Sequence, residues 1–181
     1  YEPEYSESEL EKWKHPYIEG SHNCYSYMLD KVNKRYKLQV MTTFKPNSSD
    51  INDIPKLKQK KLLAAGKVLY DKIEEVIKEN PSVDYLLVIE GNNQRSNKNW
   101  IYYPDSGYIG SYKRALSLFN YWRINGLDFR DLGSQCEIII AGSGYFGYSR
   151  DQSNERNNRK FSIQVTSKVG KLLSKSKNNE K

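Results

Sequence analysis

Two short apolar segments in the second half of the chain constrain its fold. Leu86–Ile89 runs into the polar loop Glu90–Gln94, and Ile138–Ile140 runs into the glycine-containing loop Ala141–Gly144. Between them, apolar residues recur from Ser111 onward at the spacing of a helix. Buried strands that alternate with helices are typical of an α/β arrangement.

The start of that second helix carries the most informative side chain, Arg114. A guanidinium matches a carboxylate through two parallel hydrogen bonds, and a helix N-terminus adds a favourable field. With Ser111 as the helix cap, the sequence therefore predicts that Arg114 grips a small carboxylate beside the strand-end loops. A pairing of Arg114 with an internal acid is the alternative.

The length of 181 residues predicts one domain with tails. The chain starts at Tyr1 without Met and has no apolar run of about twenty residues, the length needed to cross a bilayer. We therefore expect a soluble protein or the soluble part of a longer one.

The net charge of +7 is concentrated at one end. Residues 168–181 contain five Lys and one Glu, a sum of +4, which leaves +3 for the rest. No nucleic-acid recognition motif accompanies this charge, so we expect a solvated basic tail and no nucleic-acid partner.

The cysteine and histidine content gives little support for an enzyme. Cys24 and Cys136 could form a disulfide or remain free thiols. His15 and His22 lie near Cys24, as a Cys/His hydrolase would need, but no third orienting group is evident. Metal-ligand spacing and phosphate-binding loops are also missing from the sequence. We expect a binding module without a cofactor and without enzymatic activity.

The chain divides into three parts by pattern: an acidic extension or linker over 1–37, a regular domain over 38–167, and the basic tail over 168–181. A short helix is expected over about 23–34, within the extension. The pattern of the domain predicts first a strand over 38–44, then a helix over about 54–79 capped by Asp53, and then a strand over 84–89 covered by helices. A long loop over 91–110 leads to a helix from Ser111 to Gly126. A strand over 137–140, a short helix over 151–158 and a strand from Phe161 complete the domain. This βαβαβ(α)β order predicts a two-layer α/β sandwich, a mixed sheet with helices on one face.

Three segments in this order resemble motifs of the OmpA-like peptidoglycan-binding family, which also includes the B subunits of flagellar stators. Val88–Gln94 is similar to a strand that ends in Gly-His-Thr-Asp. Ser111–Ala115 is similar to Leu-Ser-x-x-Arg-Ala. Ala141–Gly147, followed by Asn158–Ile163, is similar to Gly-x-Gly and Asn-Arg-Arg-Val-Glu-Ile. The loop before Ser111 is about five residues longer than in the family.

The resemblance implies a site for the diaminopimelate of cell-wall stem peptides. Arg114 falls on the position that binds the carboxylate, and Arg159 falls on the first Arg of the last motif, where it could also pin the preceding loop. The pocket would be lined by Asn92, Asn93, Gln94, Ser111 and the Gly142–Gly147 turn with Gly144.

One departure from the family weakens that clamp. Gln94 stands where the family has the Asp that takes the ammonium of the ligand. A neutral acceptor forms a weaker hydrogen bond than a charged one, so the clamp should lose about 1 kcal/mol or more. Asp105, in the inserted loop, is our candidate replacement.

By this resemblance, the chain is expected to be a periplasmic part of a bacterial envelope protein that anchors a larger assembly to peptidoglycan. A membrane element upstream of Tyr1, in the inner or outer membrane, would tether it, and residues 1–37 would lead to that element or form a homodimer contact. The rival interpretation is a protein-interaction module that keeps the fold but has lost the wall ligand, with Tyr102, Tyr103 and Tyr108 as its surface.

Overall fold

A computed structural model describes residues 25–30, 35–40, 44–148 and 150–168. Its five strands are β1 (Tyr25–Asp30), β2 (Arg35–Val40), β3 (Tyr85–Gly91), β4 (Cys136–Gly142) and β5 (Phe161–Ser167). Its helices are α1 (Lys56–Glu79), α2 (Asn99–Tyr102) and α3 (Pro104–Ile124), with 3-10 turns at Ile51–Asp53, Phe129–Leu132 and Glu155–Asn158.

The strands form one mixed sheet in the order β1-β2-β5-β3-β4. β3 and β4 are parallel, with Gly91 opposite Gly142, and the other three pairings are antiparallel. The parallel pairing places the two polar strand-end loops at the same edge of the sheet. The predicted α/β sandwich with a mixed sheet is confirmed.

The helix expected over about 23–34 is wrong, because β1 occupies Tyr25–Asp30 and pairs antiparallel with β2. Tyr25, Tyr27 and Leu29 alternate with Ser26, Met28 and Asp30, a period of two that suits a strand better than a helix. The boundary drawn between residues 37 and 38 falls inside β2. The strand expected over 38–44 is placed earlier, over Arg35–Val40.

The first long helix agrees with its predicted apolar stripe. Leu62, Ala65, Leu69, Ile73 and Val76 of α1 are all buried, and Asn80 follows its last residue. Asp53 does not cap it, however. Asp50 caps the 3-10 turn that ends at Asp53, and Pro55 directly precedes α1.

The second long helix starts seven residues earlier than predicted. α3 begins at Pro104, a residue favoured in a first helical turn, so Ser111 and Arg114 lie in its middle. The loop expected over 91–110 ends in this helix instead, and Gly107 is needed for its packing. A Cβ there would lie 2.2 Å from the ring of Tyr145. The helix ends as predicted, just before Gly126, whose φ is +86°.

The helices cover one face of the sheet. Tyr85, Leu87 and Ile89 of β3 are buried, whereas the residues between them are half-buried, as expected for helices on one face of the sheet. Trp122 joins the two long helices, because its indole N–H donates to the Leu62 carbonyl at 2.9 Å. The resulting core fixes α3, and therefore Arg114, against the end of β3.

Two further findings concern the ends of the domain and membrane crossing. Cys136 is a buried free thiol, and burial raises its pKa to about 11, whereas Cys24 lies outside the described residues. Within the described ranges, no helix is both long and apolar enough to cross a membrane. The tail from residue 169 lies outside the described residues.

Candidate functional site

Arg114 is a buried guanidinium held by neutral oxygens. Only 5% of the residue is exposed, and it packs on the ring of Phe44 with 5.2 Å between Cζ and the ring centroid. Its Nε donates to the Ser48 carbonyl at 2.9 Å. Its Nη1 donates to the Asn92 carbonyl at 3.1 Å and to Asn93 Oδ1 at 2.5 Å. The alternative of pairing with an internal acid is not what the described residues show.

This arrangement leaves Arg114 charged. Burial and the nearby charge of Arg159 lower its pKa to about 10, which is still well above neutral pH. The hydrogen bonds of Nε and Nη1 use three of the five N–H groups that a guanidinium has. The fork expected to be free for a carboxylate is therefore partly occupied, and no described residue accepts a hydrogen bond from Nη2.

Because Arg114 lies in the middle of α3, it does not have the predicted favourable field of a helix N-terminus. Arg114 lies ten residues after Pro104, the first residue of α3. The field of a helix end falls off within its first turn. Any attraction of an anion to Arg114 must therefore come from the guanidinium charge and not from a helix N-terminus.

Arg159 supplies a second positive charge. It is half-buried directly after the 3-10 turn Glu155–Asn158, two residues before β5, and its Nε is buried with no hydrogen-bond partner among the described residues. Its charge is the second cause of the lowered pKa of Arg114. Among the ion pairs of the described residues, none involves Arg114 or Arg159. The two guanidiniums therefore form a positively charged centre, and the described part of the chain supplies no counter-ion to it.

The loop after β3 joins this centre through its backbone and amides. Asn92 is fully buried, and its Oδ1 accepts from Ser143 Oγ at 2.8 Å, while its Nδ2 has no partner among the described residues. The Asn93 backbone N–H donates to the Gly144 carbonyl at 2.9 Å. Asn92 and Asn93 are thus brought to Arg114, and Gln94 follows directly, half-buried.

A hydrogen bond joins Ser111 and Gly144. The Gly144 N–H donates to Ser111 Oγ at 2.8 Å, and the hydroxyl donates to the Tyr108 carbonyl at 3.0 Å. The N–H of Gly144 is therefore already used within the fold. These two residues position the loop against α3, which is a supporting role.

Asp105 does not join the other predicted residues. It is exposed in the first turn of α3, nine residues before Arg114. At 1.5 Å per residue, nine helical residues span about 13 Å. The helix that replaces the expected loop thus carries this carboxylate away from Arg114.

Several residues of the site were missed from sequence. Ser48 and Phe44 lie 66 and 70 residues before Arg114, and no local pattern connects them to it. The ion pair of Arg150 and Glu155 was also missed, and Arg150 Nη2 lies 2.5 Å from Glu155 Oε2. Glu155 also accepts from the Arg95 backbone N–H at 2.8 Å, so this pair fixes the loop between β4 and β5.

The aromatic residues near the site divide into two groups. Trp100 packs on Arg95, with 4.7 Å from Cζ to the ring centroid, whereas Tyr102 and Tyr103 are exposed. No group of three His, Cys, Asp and Glu side chains suited to a metal occurs in the described part of the chain. Cys24, His15 and His22, considered above for a hydrolase, lie outside the described residues.

Comparisons with known proteins give structural similarities only. No family model matches the sequence, and no curated protein matches it either. The OmpA-like domain of FopA1 from Francisella tularensis is 15% identical, with 79% of each chain covered and a TM-score of 0.44. An outer membrane protein from Borrelia burgdorferi is 18% identical, covering 78% of this chain and 96% of that one, with a TM-score of 0.45.

The periplasmic domain of Helicobacter pylori MotB is 12% identical, and the match covers 85% of this chain and 99% of that one, with a TM-score of 0.49. These similarities carry no argument about the ligand of this chain, which has to be inferred from its own residues. The chain is similar to OmpA-like and MotB periplasmic domains of solved structure.

Proposed function

We propose that this domain binds peptidoglycan non-covalently, through a carboxylate of the stem peptide at Arg114 and Arg159. The observation that carries the proposal is the charge of the site. Two neighbouring guanidiniums have no carboxylate partner among the described residues. A buried charge without a counter-ion is costly unless a ligand supplies one.

The unused donors support the same conclusion. Nη2 of Arg114 and Nε of Arg159 make no hydrogen bond with described residues. A carboxylate has two oxygens and accepts several hydrogen bonds, so it can accept from both side chains at once. A hydrogen bond between charged groups contributes about 1.5–3 kcal/mol, which corresponds to roughly ten- to hundredfold in affinity.

The cellular role follows from this ligand and from the three motifs that resemble OmpA-like domains. The domain would lie in the periplasm and hold a membrane-associated envelope protein to the cell wall. A membrane element upstream of Tyr1 would provide the tether, and a homodimer contact through residues 1–37 is compatible with that arrangement. The domain binds its ligand without changing it chemically.

Sedimentation with purified sacculi tests the proposal. The wild-type chain should pellet with the sacculi at low salt. Arg159→Met, which removes the charge but keeps an apolar stem, should lower the affinity by at least tenfold. Arg114→Lys should also bind more weakly, because an ammonium cannot reproduce the hydrogen bonds of the planar guanidinium.

Arg123→Gln is the matched control, since Arg123 is an exposed arginine of the same helix. It should pellet like the wild type. Equal losses for Arg123→Gln and Arg159→Met would show nonspecific attraction by the basic chain. A folded wild-type chain that stays in the supernatant would favour the rival interpretation, a protein-interaction surface around the exposed Tyr102, Tyr103 and Tyr108.

A further inference from the structure

The charges around the site restrict which kind of carboxylate it can accept. Glu155 and Asp151, the acids nearest in sequence to Arg159, are both occupied within the fold. Glu155 accepts from Arg150, from Asn158 and from the Arg95 N–H. Asp151 accepts from Ser153, from Asn157 and from backbone N–H groups. Both carboxylates are therefore committed to the loop that they hold together.

Two acids from other segments, Glu90 and Asp53, are held elsewhere. Glu90 alternates with the buried residues of β3, so it belongs to the sheet face away from the helices. Asp53 accepts from Ser48 Oγ at 2.5 Å and lies 3.7 Å from Lys45 Nζ. The charges that shift the pKa of Arg114 are those of Arg159, which lowers it, and of the Tyr145 phenol, which raises it, and no carboxylate is among them.

Gln94 adds no negative charge to the site. It directly follows Asn93, whose side chain accepts from Arg114, and its own amide is neutral. An ammonium group on the ligand would enter a site to which the described residues contribute two positive charges and no carboxylate. Like charges about 5 Å apart at the partly exposed edge of a protein repel by an amount equivalent to roughly tenfold in affinity.

We propose that the site selects a carboxylate without a free ammonium beside it: a peptide carboxylate whose neighbouring amine is acylated or absent. This inference rests on the proposed function and narrows its ligand. It departs from the zwitterionic diaminopimelate end that the OmpA-like resemblance implies. The neutral Gln94 and the distant Asp105 are the two features of this chain that remove the ammonium contact.

Three synthetic stem peptides that differ at one end test the selection by isothermal titration calorimetry. The first ends in diaminopimelate with its free amine and carboxylate. The second lacks that amine, and the third has the carboxylate converted to an amide. The wild-type chain should bind the second peptide about tenfold more tightly than the first, and should not bind the third.

Gln94→Asp places a carboxylate where the ammonium would lie, so it should reverse the preference between the first two peptides. Gln152→Asp adds the same charge at an exposed loop position and should leave the preference unchanged. Tighter binding of the first peptide by the wild type would overturn the inference while leaving the proposed function intact. Equal binding of the second and third peptides would also overturn it.

Failure of all three peptides, together with a wild-type chain that does not pellet with sacculi, would overturn the proposed function itself. Pelleting with sacculi but no binding of any of the peptides would place the wall contact outside this charged centre. It would overturn the inference and the assignment of the wall carboxylate to Arg114 and Arg159, while peptidoglycan binding itself would stand.

Discussion

Arg159 illustrates a residue whose position is unfavourable for the unbound fold. Its Nε is buried without a partner among the described residues, and its charge faces that of Arg114. An unsatisfied buried donor costs about 1–3 kcal/mol. Arg159→Met should therefore raise the free energy of unfolding by about 1 kcal/mol, as measured by urea denaturation.

The same substitution should weaken sacculus binding, so stability and affinity should move in opposite directions. A loss of more than about 1 kcal/mol in Arg159→Met would contradict this account. It would mean that the side chain is a structural support of the loop before β5.

The protonation of Arg114 makes a prediction about pH. Its pKa is lowered to about 10 by burial and by Arg159, so its charge is lost as the pH rises through that value. A ligand carboxylate is ionised above about pH 4–5. Affinity for a stem-peptide carboxylate should thus be constant from about pH 6 to 9 and fall as the pH approaches 10. Fluorescence anisotropy with a labelled stem peptide measures it, and a decline centred near pH 7 would contradict the assignment.

At the scale of elements, the loop between β4 and β5 depends on one ion pair. Arg150 has a side chain that is only 2% exposed, and Glu155 is its acidic partner. Glu155→Gln leaves that guanidinium buried without a counter-charge. We expect a loss of about 2 kcal/mol in the free energy of unfolding, because the carboxylate is itself partly exposed.

Asp71→Asn is the control for Glu155→Gln, since the Lys67–Asp71 pair is exposed and should contribute less than about 0.5 kcal/mol. Burial raises the pKa of Glu155, but hydrogen bonds from Arg150 and from the Arg95 N–H lower it overall. The contribution of the pair is therefore present above the ordinary glutamate pKa and is lost at lower pH. An unchanged difference between the variant and the wild type in acid would contradict this.

The contact between β3 and α3 tolerates no added atom. A Cβ at Gly91 would lie 1.9 Å from the Ser111 carbonyl oxygen, a backbone atom that cannot move aside. Gly91→Ala should therefore cost about 3 kcal/mol or prevent folding, measured by thermal unfolding. Lys113→Ala, at an exposed position of the same helix, should stay within about 0.5 kcal/mol of the wild type.

The periodicity of apolar residues predicted the elements that pack against the core. The stripe of α1 and the parallel pair β3 and β4 follow from apolar spacing alone. The start of α3 could not be predicted in this way, because Gly107 and Gly110 are poor helix formers and usually mark loops. Tyr145 packs against Gly107, and this tertiary contact favours the helix over the local preference.

For the whole molecule, the candidate site combines residues from four separate segments. The resemblance to the Leu-Ser-x-x-Arg-Ala motif drew attention to Arg114, and the structure brings Asn92 and Asn93 of the loop after β3 into contact with it. Ser48 comes from a turn before α1, and its carbonyl fixes Nε of Arg114 across 66 residues. A backbone carbonyl has no residue-type signature, so this contact could not be read from the sequence.

The arrangement of charge over the described residues separates arginines that pair with an acid from the two that we propose to bind the ligand. Arg150 pairs with Glu155 and Arg130 pairs with Asp128, whereas Arg114 and Arg159 pair with no acid among the described residues. The charge of a paired arginine is already balanced within the fold. An unpaired, partly buried arginine is stabilised most by the binding of an anion.

Arginine side-chain NMR gives the most direct test of the central claim, that Arg114 and Arg159 together receive a carboxylate. The Nε–H signals of a ¹⁵N-arginine-labelled chain would be followed during titration with a stem peptide. The account predicts a saturable shift of the Arg159 signal, a smaller shift of Arg114, whose Nε stays bonded to Ser48, and no shift of Arg123 or Arg130. Saturated binding that leaves the Arg159 signal unmoved would contradict it.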